Sequence, residues 1–305
     1  MSSAPGDPAR PDVVGGLLAA AASLLFGTVV VLGKRVLERG MSVESMLAFR
    51  FAVAGLLLGA VVLALRRPLL AEPGERVGLA ALALFGYAVE ATFFFTASKH
   101  GTVAAVTLLF FTYPVFVTLG AWAIGRGAPG RPTLVALACA LVGSAIVVGT
   151  GAGLSIETAG VVFALAAAVT YSAYLVGTDL VLRRTSPLTS AVWVSVGAAT
   201  GLFVFSALSG RFTMPVVAAD GWAILLMGIA TAGAFVCLLG ALQRVGAVRT
   251  SIISATEPLS AALLGFLFLG ESVSAGTALG GALILAGAVI ASLARAATPQ
   301  EQQIP

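Results

Sequence analysis

Two apolar strings decide the architecture of this chain: LLFFTYPVFVTLGAWAIGR (108–126) and ISATEPLSAALLGFLFLGE (253–271). Each string places a proline, Pro114 or Pro258, inside a long apolar run, and the two prolines are 144 residues apart. At that offset the chain also matches itself at Gly16 and Gly160, Gly33 and Gly177, Arg39 and Arg183, Ser42 and Ser186, and Gly143 and Gly287. The sequence therefore predicts two related halves.

The regions around these strings are apolar over membrane-crossing lengths. Hydrophobic residues make up 59% of the 305 residues and charged residues only 10%, whereas about a quarter of the residues in a soluble domain are charged. A helix needs about 20 apolar residues to cross a bilayer. Ten windows approach or exceed this length: 13–32, 45–65, 77–98, 102–125, 134–150, 159–178, 188–208, 222–242, 248–269 and 275–294. The sequence predicts an all-α integral membrane protein with ten transmembrane helices in contact with lipid.

The two halves are predicted to lie in the membrane with opposite orientations. Each half, 13–150 or 159–294, holds five predicted helices, and because five is odd the second half starts from the opposite side. Arginine and lysine are more numerous in the connections that share a side with the N-terminus, although the first outer loop (34–39) is an exception. This bias predicts cytoplasmic tails, at 1–12 and 295–305, for a multi-pass protein of the cell membrane. Inverted repeats are typical of secondary transporters that work by alternating access.

Two acidic residues are predicted inside apolar helices, where a carboxylate is costly unless it faces a cavity or a partner. Glu90 lies near the middle of the third predicted helix, and helical spacing puts Tyr87 and Phe94 on the same face. Glu257 directly precedes Pro258, which lacks a backbone donor. We interpret both carboxylates as candidates for proton coupling. The alternatives are a protonated Glu90 that bonds to a neighbouring helix and a Glu257 that satisfies the proline break.

Aromatic residues on other helices extend this candidate site. Tyr171 and Tyr174 share a face of the sixth predicted helix, and Phe26 lies on a comparable face of the first. Tyr113 is the repeat counterpart of Glu257. We predict that these side chains line a pathway for an amphipathic solute; the alternative is that they belong to the bundle core or an interface belt.

Arg50 is interpreted as structural rather than as part of this site. The residue is expected about a turn inside the outer end of the second helix. There its long side chain would snorkel to the surface or pair with Glu44, with a gating role as the alternative.

Small residues recur at the spacing that lets helices approach closely. The pairs are Gly55 and Gly59, Gly197 and Gly201, and Gly276 and Gly280. They predict packing within the chain, with self-association as the alternative, so the oligomeric state is left open.

The sequence carries no visible machinery for catalysis. It shows no metal-ligand cluster, no phosphate-binding loop and no nucleophile with an activated base. We therefore predict no enzymatic activity, no cofactor and no metal site. The basic residues are scattered through the connections, which argues against nucleic acid as a partner.

The two long strings, together with ALQRVGAVRTS (241–251), resemble the EamA-type members of the drug/metabolite transporter superfamily. The resemblance spans both halves, and its most specific part is the EP…LGE pattern of 257–271. The first half departs from that pattern, because Tyr113 stands in place of the acidic residue and Arg126 and Gly127 stand where Gly-Glu is common.

The resemblance implies a ten-helix carrier of the inner membrane, usually an exporter of amino acids or related metabolites. It also implies a central cavity between the halves, with the fifth and tenth helices packed to one side. Phosphorylated solutes need fixed cations, and the deep membrane region is expected to offer carboxylates instead. Neutral or zwitterionic solutes are therefore favoured, with protons as the candidate coupling ion. The main alternative is a carrier of drugs, nucleosides or sugar derivatives; a membrane enzyme or a channel is less favoured.

Overall fold

The computed structural model describes residues 12–151, 155–214, 217–260 and 274–293 as a bundle of apolar helices. The first half contains α1 (Val13–Glu38), α2 (Val43–Ala64), α3 (Arg76–Ala97), α4 (Val103–Phe110 and Tyr113–Ala123) and α5 (Arg131–Gly151). The second half contains α6 (Thr158–Val181), α7 (Pro187–Leu208), α8 and the first part of α9 within Val217–Ser254, the second part of α9 from 257, and α10 (Ala275–Leu293). Gly246, with a φ of 76°, divides α8 from α9.

Helix length and composition confirm the predicted membrane fold. Within the described ranges, nine helices are long and apolar enough to cross a bilayer, and one of them, Gly221–Ser254, runs through α8 into α9. Lipid offers no hydrogen bonds to the backbone, and a helix satisfies its own polar groups within one segment. Residues 261–269 of the ninth predicted helix lie outside the described residues, as do residues 1–11 of the predicted N-terminal tail and the whole predicted C-terminal tail. The chain is an all-α integral membrane protein.

Packing between the halves follows a two-fold pattern. α2 packs along α7 and α5 packs along α10, so each pair joins equivalent helices of the two repeats. α1 packs against α8, and its counterpart α6 packs against α3, the counterpart of α8. An axis in the membrane plane that relates two inverted halves produces this exchange of partners.

Both proline-containing helices are broken at the same repeat position. α4 is interrupted by a turn at 111–112 and restarts with Pro114 in its first turn. α9 turns at 255–256 and is helical again from 257, directly before Pro258. Proline has no N–H to donate, so it is tolerated in the first turn of a helix, where that donor would have no partner.

The matched serines Ser42 and Ser186 begin α2 and α7 as N-caps, and each accepts a hydrogen bond from the backbone N–H three residues later. The Ser42 N–H also donates to Thr213 Oγ1 (3.0 Å), in the segment after α7. At the opposite end of the helix pair, Thr189 Oγ1 donates to the carbonyl of Pro68 (2.9 Å), in the segment after α2. Both ends of the α2–α7 pair are therefore tied by hydroxyl groups to the connection that follows the partner helix.

A carboxylate joins the two halves at one end of the bundle. Glu75, just before α3, accepts hydrogen bonds from the backbone N–H groups of Arg183 (2.9 Å), Arg184 (2.7 Å) and Thr185 (2.9 Å) in the α6–α7 connection. Burial raises the pKa of the Glu75 carboxyl, but hydrogen bonds from Thr185, Arg183 and Arg184 outweigh it, so this pKa lies below the ordinary value. Glu75 therefore holds the connection as a charged acceptor at neutral pH.

We expect Glu75→Ala to destabilise the protein, because three backbone donors lose their acceptor. The free energy of unfolding should fall by on the order of 1–3 kcal/mol. A depressed folded pKa gives stabilisation that is present above the unfolded pKa and is lost as the pH falls through the folded pKa. The melting temperatures of detergent-purified wild type and variant should therefore differ at neutral pH and converge in acid. Glu72→Ala, which removes an exposed carboxylate nearby, is the control; a gap that persists at every pH would contradict the assignment.

The glycine motifs make close contacts within the chain. A Cβ on Gly280 of α10 would lie 2.6 Å from the carbonyl oxygen of Gly143 in α5. A Cβ on Gly55 of α2 would lie 3.0 Å from the Val196 side chain of α7, whereas Gly59 has no such neighbour within 4 Å. The predicted packing within the chain is thus present, and it is tightest between α5 and α10.

Candidate functional site: a charged cavity between the repeats

One narrow cavity brings buried charges from several helices together. Its volume is about 40 Å³, enough for a few water molecules, since one water needs roughly 10–15 Å³ by this measure. The walls come from α1, α2, α3, α4, α6 and α9, and therefore from both halves. The lining residues are Phe26, Val29, Val30, Arg50, Tyr87, Glu90, Ala91, Phe94, Phe95, Phe110, Tyr171 and Glu257.

Most of the residues predicted from the sequence lie on this cavity. The predicted residues that line it are Phe26, Tyr87, Glu90, Phe94, Tyr171 and Glu257. Tyr113 and Tyr174 lie behind the wall, where their ring centroids are 4.8 and 6.2 Å from that of Tyr171. The structure thus gathers the predicted set in one place, and the part that each residue plays in binding stays a prediction.

The two carboxylates approach the cavity from different halves. Glu90 belongs to α3 and is 5% exposed, while Glu257 starts the helical segment after the turn in α9. Glu90 interacts electrostatically with both Arg50 and Glu257. Three ionisable groups from three helices therefore share one buried space, where charges interact more strongly than in water.

Arg50 does not reach the surface, so the prediction that it would snorkel or pair with Glu44 is wrong. Glu44 instead forms an ion pair with Arg211 Nη1 (3.1 Å). α2 begins at Val43, before the predicted window, and this places Arg50 two turns inside the helix, where it is only 2% exposed. The expectation that the deep membrane region offers no cation is wrong for the same reason.

Tyr87 forms the hub of an aromatic cluster beside the cavity. It lies at the end of a π-helical turn, Leu82–Tyr87, within α3. Its ring centroid is 4.7 Å from that of Phe235, 5.3 Å from that of Tyr174 and 5.7 Å from that of Phe51. These rings come from four helices, so one residue links the cavity wall to the cores of both halves.

Tyr113 connects the two broken helices. Its Oη donates to the carbonyl of Ser251 in α9 (3.2 Å), and its own carbonyl accepts from Ser172 Oγ in α6 (3.0 Å). At the equivalent position in the second half, Glu257 lines the cavity. The symmetric backbone therefore carries a structural hydroxyl on one side and a carboxylate on the other.

Contacts between polar side chains join helix ends on both faces of the bundle. His100 Nδ1 lies 2.9 Å from Glu157 Oε2, between the α3–α4 turn and the start of α6. At the other end, Arg126 Nη2 lies 2.8 Å from Asp179 Oδ2 in the last turn of α6. Both pairs lie away from the cavity. In the part of the chain that the structure describes, no three His, Cys, Asp or Glu side chains form a group that could hold a metal ion.

Sequence reasoning missed Arg50 and several apolar lining residues, among them Val29, Phe95 and Phe110. A signal for Arg50 was present, because an intramembrane arginine is costly in the same way as an intramembrane glutamate and is functional by default. The phenylalanines and valines gave no such signal, since every predicted helix is rich in apolar residues.

A bundle of inverted repeats around a buried, charged cavity defines the class of multi-pass membrane transporters. The model of the EamA-like transporter family matches residues 13–149 and, a second time, residues 158–293. The chain belongs to the EamA-like transporter family.

Similar proteins support this assignment. The chain is 29% identical over 283 residues to the "Uncharacterized inner membrane transporter YicL" of Salmonella typhimurium, a match that covers 89% of this chain and 93% of the relative. It is 27% identical over 215 residues to the "Uncharacterized transporter YwfM" of Bacillus subtilis, covering 69% and 70% of the two chains. A solved structure, described only as the crystal structure of a protein, matches 92% of this chain and 98% of its own with a TM-score of 0.77 at 20% identity. The structural match extends the agreement in fold across nearly the whole chain.

Proposed function

We propose that the chain is a proton-coupled secondary exporter of small zwitterionic metabolites of the amino-acid type. The observation that carries this proposal is the cavity that Arg50 shares with Glu90 and Glu257. A zwitterion presents one carboxylate and one ammonium group, and a site with one cation and two carboxylates balances both through charge-assisted hydrogen bonds. Neutral solutes of similar size are the next class in order of preference.

The same charges disfavour phosphorylated solutes. A phosphate monoester carries about 1.5 to 2 negative charges at neutral pH. One arginine beside two carboxylates supplies no surplus of positive charge to offset it. The free energy needed to desolvate a sugar phosphate would therefore exceed the free energy gained from its interactions with this site.

Solute access requires the repeats to move. A volume of about 40 Å³ admits water but not a whole metabolite, so α1, α2, α3 and the second-half helices must separate for binding. The hydrogen bonds from Ser42 to Thr213 and from Thr189 to Pro68, at the two ends of the α2–α7 pair, are contacts that such a motion would break, one end at a time. Inverted repeats provide the two alternative packings that alternating access needs.

Proton coupling follows from competition for a carboxylate. A proton and an ammonium group cannot both neutralise the same Glu90 or Glu257 oxygen pair. Proton entry from the outside would therefore favour release of a cationic end group, and solute binding from the inside would favour proton loss to the inside. This exchange links outward solute movement to inward proton movement.

The proposal is tested with proteoliposomes loaded with a mixture of radiolabelled amino acids. Efflux should be saturable, should accelerate when an acidic exterior is imposed, and should slow when a protonophore collapses the gradient. Protein-free liposomes provide the background rate. Equal rates with and without the gradient would refute proton coupling, flux that rises without saturation would indicate a channel, and the absence of amino-acid movement would refute the solute class.

A further inference from the structure

Arg50 is a buried cation that bonds to the Tyr87 side chain and still has two donor atoms without a partner among the described residues. Its Nε and Nη2 atoms have no hydrogen-bond partner among the described residues, although the side chain is only 2% exposed. A guanidinium carries five N–H donors, and a buried donor without a partner is unfavourable. The side chain also lines the cavity, so these two donor atoms belong to a residue that a solute would pass.

Two aromatic rings hold the guanidinium in position. The Arg50 Cζ lies 4.3 Å from the ring centroid of Phe51 and 5.9 Å from that of Phe95. Stacking of this kind stabilises the cation and limits its rotation without using any N–H group. The donors are therefore preorganised rather than free to seek other partners.

Carboxylates of the protein do not satisfy Arg50 within the described structure. Glu44 is engaged by Arg211, and none of the ion pairs found among the described residues joins Arg50 to Glu90 or Glu257. Glu90 acts on Arg50 electrostatically, and both side chains line the same cavity. A group that enters this cavity therefore reaches both charges.

The two unpartnered atoms, Nε and Nη2, form one edge of the guanidinium. On that edge the two N–H bonds run nearly parallel, and they match the two oxygens of a carboxylate in a bidentate pair. From this geometry we infer that Arg50 binds the carboxylate of the transported solute, which places its ammonium end toward Glu90 and Glu257. The inference rests on the proposed function and adds a requirement: the solute must carry a free carboxylate.

Binding of matched acid and amide probes to detergent-purified protein tests this inference. The probes are leucine and leucinamide, phenylalanine and phenylalaninamide, and threonine and threoninamide; each amide keeps the ammonium group and side chain but loses the negative charge. In calorimetric titrations the wild type should prefer the acid in at least one pair by roughly 10- to 100-fold, the scale of a hydrogen bond to a charged group. Arg50→Gln should lower acid binding by the same factor and leave amide binding nearly unchanged.

Two further variants keep the test decisive. Arg211→Gln removes an arginine whose side chain is 67% exposed, and it should bind every probe as the wild type does. If Arg50→Gln does not yield folded protein, Arg50→Lys decides, because lysine keeps the charge but not the two-donor edge. Arg50→Lys should reduce the acid-to-amide ratio several-fold.

The inference and the proposed function fail in different ways. A wild-type protein that binds acid and amide equally in all three pairs, or binds none of the acids, overturns the inference, as does a wild-type acid preference in a folded Arg50 variant. The proposed function fails in the liposome assay instead, when no amino acid moves or when the gradient has no effect. Gradient-driven amino-acid efflux with an unchanged rate in Arg50→Gln would overturn the inference alone.

Discussion

Glu90→Gln is expected to reduce gradient-driven efflux to the rate of protein-free liposomes. Glutamine has nearly the shape of glutamate, but it neither binds a proton in this range nor balances an ammonium group. Glu90 is 5% exposed and shares the cavity with Arg50, so no solvent-borne base can take its place. The same substitution should leave the melting temperature nearly unchanged, because the amide keeps the shape of the side chain and spares the desolvation of a carboxylate, while Glu257 remains on the cavity as a counter-charge to Arg50.

Loss of coupling without loss of stability is the outcome that separates a transport role from a structural one. Glu72→Gln, on an exposed loop position, should transport as the wild type does. Glu90→Asp keeps the carboxylate and should retain part of the response to the gradient. Wild-type efflux in Glu90→Gln would remove Glu90 as the coupling group, and Glu257→Gln in the same assay would then show whether the other carboxylate serves instead.

Gly280→Leu is expected to cause the largest loss of stability among the substitutions considered. A Cβ at this position would lie 2.6 Å from the Gly143 carbonyl oxygen and 2.9 Å from the Val147 backbone nitrogen. Backbone atoms cannot rotate aside, so α5 and α10 would have to separate. Overpacking of this kind costs about 1–3 kcal/mol or more, and the melting temperature in detergent should fall clearly.

Gly59→Leu is the matched control for this prediction. Gly59 is also a helical glycine in a small-residue motif, yet a Cβ there would have no other residue's side chain or backbone within 4 Å beyond its own helix. Leucine is a better helix former than glycine by up to about 1 kcal/mol, so this variant should be as stable as the wild type or slightly more so. Equal losses in Gly59→Leu and Gly280→Leu would contradict the packing argument.

The helices were predictable because lipid leaves the backbone few options. An apolar run of about 20 residues in a bilayer must satisfy its own hydrogen bonds, so windows such as 13–32 become helices whatever their neighbours are. The inverted pairing was predictable too, since an odd number of crossings fixes the orientation of the second half. The repeat at a 144-residue offset carried this information before any contact was known.

The composition of the site was only partly predictable. Glu90 and Glu257 stood out because charge in an apolar helix is costly, and the structure places both on one cavity. Arg50 was misplaced because its environment depends on long-range pairing: Glu44, its nearest candidate partner in sequence, is bound by Arg211, which lies 167 residues away. The π-helical turn that ends at Tyr87 likewise has no sequence signature, since its wider turn results from packing rather than from local residue preference.

The Ser42 and Ser186 N-caps allow the two halves of the molecule to be compared with each other. The same cap geometry occurs at both ends of the α2–α7 pair, one copy facing each side of the membrane. The same substitution made at Ser42 in one variant and at Ser186 in another therefore removes the same hydrogen bond at opposite ends of the helix pair. A difference in effect between the two serine variants would show that the two ends of the helix pair are not equivalent. The size of that difference would report how far the side chains, which differ between the halves, make the protein itself asymmetric across the membrane.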